Sequence, residues 1–241
     1  MVTLKVISLV PSITETLYSL GLNEEVVGIT KFCVHPKPWL QTKTIIGGTK
    51  NVNIEKVKAL TPTLLIANKE ENVKEQVEEL AKVAKLLLTD VNNYDEALQM
   101  ISAVASAVNK TPQASKLISQ IQWAFASINI TQVKTAAYLI WKDPYMTVGS
   151  DTFISDMMRR AGYENVFDKL LRYPQITIAD IKERNPQYVL LSSEPYPFQQ
   201  KHVVELQELL PYSKFILADG EMFSWYGSRM LLSADYFSSL P

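Results

Sequence analysis

The densest group of chemically capable side chains is KFCVHPKPW, residues 31–39, where a thiol and an imidazole stand two positions apart behind a strand-like run. Cys33 and His35 are the types that serve as a nucleophile and its base, or as metal ligands. A structural zinc needs about four such groups at short paired spacings. The chain has one cysteine and two histidines, the second being the distant His202. No built-in metal, no built-in cofactor and no catalytic residue is therefore expected. Cys33 reads as a small buried hydrophobe, and His35 as a loop side chain at a strand end, able to donate to or ligate a guest. Phosphate chemistry lacks its usual cradle: there is no G-x-G-x-x-G after the first strand and no G-x-x-x-x-G-K-[ST]. A G-x-S-x-G nucleophile elbow is also missing.

Aromatic rings are the second resource. DGEMFSWYGSRM, residues 219–230, sets Phe223, Trp225 and Tyr226 between Gly220 and Gly227, where a regular core element is not expected. Trp141 and Tyr145 follow a strand-like run, Tyr173 sits in RYP, and Tyr196 and Phe198 sit in SSEPYPF. Phe32 and Trp39 belong to the loop of His35. Rings in loops, with a few polar groups among them, can hold a large flat ligand with much contact area and little rotamer entropy lost. Arg229, read as one turn into the last helix, adds hydrogen bonds for a carboxylate, amide or phosphate. The expected ligand contacts are Phe32, His35, Trp39, Trp141, Tyr145, Tyr173, Tyr196, Trp225, Tyr226 and Arg229.

Something must hold those loops. With 241 residues and 47% hydrophobic composition the chain can bury an ordinary core. Lys+Arg 24 against Asp+Glu 25 gives no electrostatic reason to expect nucleic acid as a partner. No apolar run approaches the ~20 residues that cross a bilayer. The opening MVTLKVISLVPS is too short and too β-branched to read as a signal peptide. Strand-like KVISLV, VVGIT, KTIIG, TLLIAN and KLLLTD alternate with helical stretches at about 12–21, 53–60, 72–83 and 94–108. That alternation calls for parallel strands with crossover helices. Thr111-Pro112 opens one long helix, with threonine read as its cap and proline at its first helical position. The pattern then restarts with TAAYLIW, a helix at about 151–161, IADIKER, YVLLSS, a helix at about 201–209, KFILAD and a last helix from about Gly227. Ser12 reads as the cap of the first helix.

IEKVKALTPTLLIANKE (54–70) and IADIKERNPQYVLLSSE (178–194) superimpose at a constant offset of 178 − 54 = 124, pairing Pro62 with Pro186 and Glu70 with Glu194. Each copy is a short helix, a proline that ends it and a buried strand. The expected fold is α/β: two Rossmann-like lobes with mainly parallel sheets, 1–110 and 131–241, joined by a single backbone helix, 111–130.

The ordered segments ISLVPSITETLYSLGLNEEVVGIT, FCVHP, IIGGTKNVNIEKVKALTPTLLIAN, VGSDTFISDMMRRAGYENVF and ITIADIKERNPQYVLL resemble the cobalamin, haem and iron-siderophore binding proteins of ABC importers, over nearly the whole chain. The resemblance implies the class III periplasmic-binding fold and no enzymatic activity. It implies a monomer that takes a corrinoid, haem or ferric chelate in a cleft between the lobes and delivers it to a permease, docking through Glu70 and Glu194. His35-Pro36, Tyr173-Pro174 and Arg229 match the positions where cobalamin-binding members reach the corrinoid with tyrosine, tryptophan and arginine. The His35 and Tyr173 differences leave the chelate open. Periplasmic or cell-surface location follows from the resemblance, and the unconvincing leader keeps the cytoplasm open. The competing reading is a cytosolic enzyme or metal-cofactor handler on the same scaffold, motivated by Cys33 and His35.

Overall fold

The computed structural model describes residues 3–241, and the chain folds as two compact units. The first takes the residues up to Val91, then Asp95–Gln122 and the late segment Trp225–Met230; the second takes Asn92–Tyr94, Trp123–Ser224 and Leu231–Pro241.

In the first unit the order is β1 (Val6–Ser8), α1 (Pro11–Ser19), β2 (Val26–Ile29), α2 (Trp39–Thr42), β3 (Thr44–Ile45), α3 (Ile54–Ala59), β4 (Leu64–Asn68), α4 (Lys74–Leu80), β5 (Lys85–Thr89) and α5 (Tyr94–Ala107). All strand pairs are parallel, in the order β3-β2-β1-β4-β5. β4 is buried along its whole length because helices cover both faces of a parallel sheet, which is why LLIAN is apolar until its last residue. α6 (Thr111–Ala126) passes from the first unit to the second at Gln122.

The second unit continues with β6 (Lys134–Leu139), α7 (Phe153–Arg160), β7 (Tyr163–Asn165), α8 (Ile178–Arg184), β8 (Tyr188–Ser192), α9 (Gln200–Leu209), β9 (Lys214–Ala218), α10 (Gly220–Ser224) and α11 (Met230–Ser239). Its sheet is parallel, in the order β7-β6-β8-β9. Leu139, Val189 and Leu191 from the strands pack with Phe167, Ile181, Phe198 and Leu206 into its core.

The repeat is structural to the residue. β4 and β8 have equal length and bounds 124 positions apart, and α3 and α8 start at Ile54 and Ile178. Their caps also correspond: the Asn53 side chain accepts from Lys56 N–H, and the Thr177 side chain from Asp180 N–H. Each side-chain oxygen satisfies one of the amides that a helix start leaves without an intrahelical partner.

Four local expectations are corrected. Val10, not Ser12, precedes α1, because Pro11 takes the first helical position where an N–H is dispensable. α6 begins at Thr111 itself, so that threonine is not outside the helix. Gly220–Ser224 is a short helix, so Phe223 is a fully buried core ring rather than a loop ring; it packs 5.1 Å from Tyr138 and 4.8 Å from Phe237, centroid to centroid. Arg229 precedes the last helix, which starts at Met230.

Candidate functional site

In open parallel sheets, ligands meet the carboxyl ends of the strands, and the first unit gathers its chemistry there. β1 ends at Ser8, and two residues later α1 begins, carrying Glu15 and Thr16 in its second turn. β2 ends at Ile29 and leads into the loop of Phe32, Cys33 and His35. Cys33 anchors that loop: its Sγ lies 3.1 Å from Thr14 Oγ1 and 3.2 Å from Thr30 Oγ1, with no solvent exposure. Burial pushes its thiol pKa up, against the opposing pull of the two hydroxyls. A thiol so placed stays protonated and inert, which removes the ground for a nucleophile at Cys33. Phe32 is about half exposed, with Lys31 Nζ 5.0 Å from its ring centroid.

The segment 225–230 belongs to this unit although it lies 99 positions beyond the end of α6. Gly227, Ser228 and Arg229 attach it. Arg229 Nε and Nη2 donate to Glu15 Oε2 and Oε1 at 2.9 and 2.8 Å, a bidentate pair with the arginine side chain only 6% exposed. Ser228 N–H donates to Thr16 Oγ1 at 3.0 Å, and that hydroxyl donates on to Ser12 O at 2.9 Å. Gly227, at φ +95°, passes so close to Thr16 Oγ1 that a Cβ there would overlap it. Trp225 rests on this anchor: Arg229 Cζ lies 5.2 Å from its ring centroid, and the His35 ring meets it edge-on, 5.5 Å away at 73°. Trp225 and Tyr226 are buried, as is the Ser228 hydroxyl, which has no hydrogen-bond partner among the described residues. Gly220, at the other end of the aromatic stretch, leaves room for Glu194 Cγ and Ser192 Oγ, which a Cβ would meet at 2.5 and 2.6 Å.

The second unit builds its own group of rings. Trp141, just past β6 and 40% exposed, meets Tyr196 edge-on at 5.7 Å, and Tyr196 meets Phe198 at 4.8 Å. His202 closes the stack: its Nδ1 accepts from Gln199 N–H at 2.9 Å, and its Nε2 lies 3.3 Å from Tyr196 Oη. Burial, then the Lys142 charge, holds its pKa below the ordinary imidazole value. Tyr145 packs against the core, and burial pushes its phenol pKa up. Tyr173 is partly buried, with Arg172 Cζ 5.5 Å from its ring centroid.

Glu70 and Glu194 are presented by equivalent turns. Asn68, the last residue of β4, accepts from Glu70 N–H at 2.9 Å through its side chain. Ser192, the last residue of β8, accepts from Glu194 N–H at 3.3 Å. Asn68 is itself braced, because Asn72 Oδ1 takes its N–H while Asn72 Nδ2 donates to Leu9 O and Thr49 O. The Glu194 carboxylate accepts from Ser224 Oγ at 2.6 Å.

Of the first-unit candidates, the structure brings His35, Trp225 and Arg229 together. Trp39 is placed elsewhere: it is 2% exposed in α2, donates Nε1–H to Asn23, and packs edge-on against Tyr18. That side chain is spent on scaffold packing. Trp141 and Tyr196 stand together in the second unit, whereas Phe198 is core. Glu15 and Thr16 were missed. Their signal is the E-T pair that ends SITET on α1, but only the fold brings Arg229 and Ser228 to them.

Two α/β units with all-parallel sheets define the class III periplasmic-binding fold. A family model described as periplasmic binding protein matches residues 6–209, and the chain belongs to that family. A vitamin B12-binding protein of Pectobacterium carotovorum is 24% identical over 98% of this chain and 87% of its own. An uncharacterized ABC transporter substrate-binding lipoprotein of Bacillus subtilis is 28% identical over 77% of this chain and 62% of its own length. The crystal structure of the periplasmic heme binding protein HutB of Vibrio cholerae matches with a TM-score of 0.85 at 18% identity, covering 99% of this chain and 98% of that one, which establishes the shared fold. Among the described residues no helix is long and apolar enough to cross a membrane, and no group of three or more His, Cys, Asp or Glu could hold a metal ion.

Proposed function

We propose that the chain is the substrate-binding component of an ABC importer, not an enzyme, and that it receives a flat metal chelate, a corrinoid, haem or ferric siderophore, for delivery to a permease. The observation that carries this reading is the His35–Trp225–Arg229 group, held at the carboxyl ends of β1 and β2 by Glu15 and Thr16. A rigidly seated indole with an imidazole at its edge offers a macrocycle a flat apolar contact and one polar or ligating neighbour. Phe32, Trp141, Tyr145, Tyr173, Tyr196 and Tyr226 complete the proposed contacts, and Trp39 is left out because its indole is committed to Asn23 and Tyr18. The reading is supported by relatives named for vitamin B12 and heme and by one named as an ABC transporter substrate-binding lipoprotein.

Glu70 and Glu194 are the proposed docking acids, since matching turns on the two copies of the repeat fix their backbones. An exported location, at the cell surface or in a periplasm, and a monomeric state belong to the same reading. The test is a spectral titration with cyanocobalamin, haemin and a ferric hydroxamate. A band shift saturating at micromolar or lower concentration with one of them is expected, and no shift with all three rejects the function.

A further inference from the structure

An arginine beside an aromatic ring invites the reading that it waits for a carboxylate on the ligand. The geometry denies Arg229 that task. Both carboxylate oxygens of Glu15 already engage its Nε and Nη2, and the pair is held with the side chains 6% and 16% exposed. A bidentate carboxylate cancels the guanidinium charge at the distance where a ligand beside Trp225 would feel it. Two other cations beside candidate rings also have a carboxylate partner. In the second unit Lys142, next to Trp141, pairs with Glu205 at 2.5 Å, and Arg172, over Tyr173, has Asp151 at 3.8 Å. Lys31 over Phe32 is a further cation beside a candidate ring. The Ser228 hydroxyl adds a buried polar atom without formal charge.

We propose that Glu15 is a specificity-determining residue: by neutralising Arg229 it makes the surface around Trp225 select a macrocycle with an uncharged, amide-bearing rim over one rimmed with carboxylates. Arg229 is then a positioning residue: Glu15 holds it, and it seats Trp225. This rests on the chelate-binding reading above and narrows it to the amide-rimmed corrinoid class.

The experiment compares two water-soluble corrins that differ only in their rim: dicyanocobinamide, with amides, and dicyanocobyrinic acid, with carboxylates. Dissociation constants are measured by absorbance at about 0.15 M salt, where long-range charge effects are screened. The wild type should bind the amide form at least as tightly as the acid. Glu15→Gln should shift the ratio of the two constants towards the acid by about tenfold or more, because it removes the carboxylate charge that Arg229 pairs with. The double variant Glu15→Gln with Arg229→Met should return the ratio to the wild-type value, whatever it does to either affinity. Removing one member of a buried pair destabilises strongly, so if the single variant does not fold, the wild-type and double-variant ratios decide. A wild-type preference of about tenfold or more for the acid, or a ratio that Glu15→Gln does not move, overturns the proposal. Haemin binding without cobinamide binding overturns it while leaving the chelate-binding reading standing. Failure of corrins, haemin and ferric hydroxamate alike removes both.

Discussion

Thr61 and Asn185, 124 positions apart, hold the same left-handed backbone, φ 47° and φ 44°, each between the end of a helix and a proline. Both copies of the repeat use one device. A left-handed residue stops α3 or α8, and Pro62 or Pro186 prevents the helix from resuming. The residues that meet the demand differ in fitness, because asparagine tolerates this conformation and a β-branched threonine does not.

Thr61→Asn is therefore expected to stabilise the protein by about 0.5–1 kcal/mol. The lost hydrogen bond from Lys5 Nζ to Thr61 Oγ1 is exposed and offsets little. Urea unfolding checks it: the midpoint should rise with an unchanged slope, and a lower midpoint would show that the bond to Lys5 outweighs the relief of strain.

Gly227→Ala meets two penalties at once, a positive φ and overlap with Thr16 Oγ1. The expected cost is about 2–4 kcal/mol. The substitution pries Ser228 from Thr16 and unseats Trp225 from His35, so affinity for the chelate should fall along with stability. Titration and unfolding of the same variant measure the two losses. A stable variant with wild-type affinity would mean that the segment is not held through this contact.

His202 gives the stability a pH dependence with a definite sign. Its Nδ1 must be unprotonated to accept from Gln199 N–H, and burial beside Lys142 depresses its pKa. As pH falls through about 6.5, the unfolded chain takes up the proton first, so the stabilisation is present above that pH and is lost below it. His202→Asn keeps an acceptor without the titration. Melting temperatures between about pH 8 and pH 5 should fall less steeply for this variant than for the wild type; parallel curves would assign the slope to other groups.

Much of the scaffold was legible because its causes are local. Short β-branched runs alternating with helical periodicity predict parallel strands with crossovers, and β4, β8, α5 and α9 lie within a few residues of where the pattern puts them. The 124-residue offset carried over from strands to caps to a shared backbone angle, since each is set by a handful of neighbours. What failed was also local, but weaker. Gly220 and Gly227 read as breaking regular structure, yet a five-residue helix starts at Gly220 itself, and Phe223 is fully buried. A helix so short leaves too little periodicity to detect.

The candidate site was half visible. Ring types in loops flagged Trp225, His35 and Arg229, but type cannot separate a ring that meets a guest from one that fills a gap, and Trp39 carried the same signal while serving the scaffold. Glu15 gave no signal as a site residue. On a helix it reads as an ordinary solvated acid, and its meaning comes from an arginine 214 positions away.

By itself, then, the sequence determined the elements, their parallel arrangement and the twofold repeat, because periodicity, caps and proline stops act over a few residues. Only the tertiary structure decided that the segment 225–230 returns to the first unit, and that Arg229 spends its charge on Glu15. Those outcomes depend on burial and on pairing between residues far apart in the chain, and a buried charge takes whichever partner the fold brings within reach.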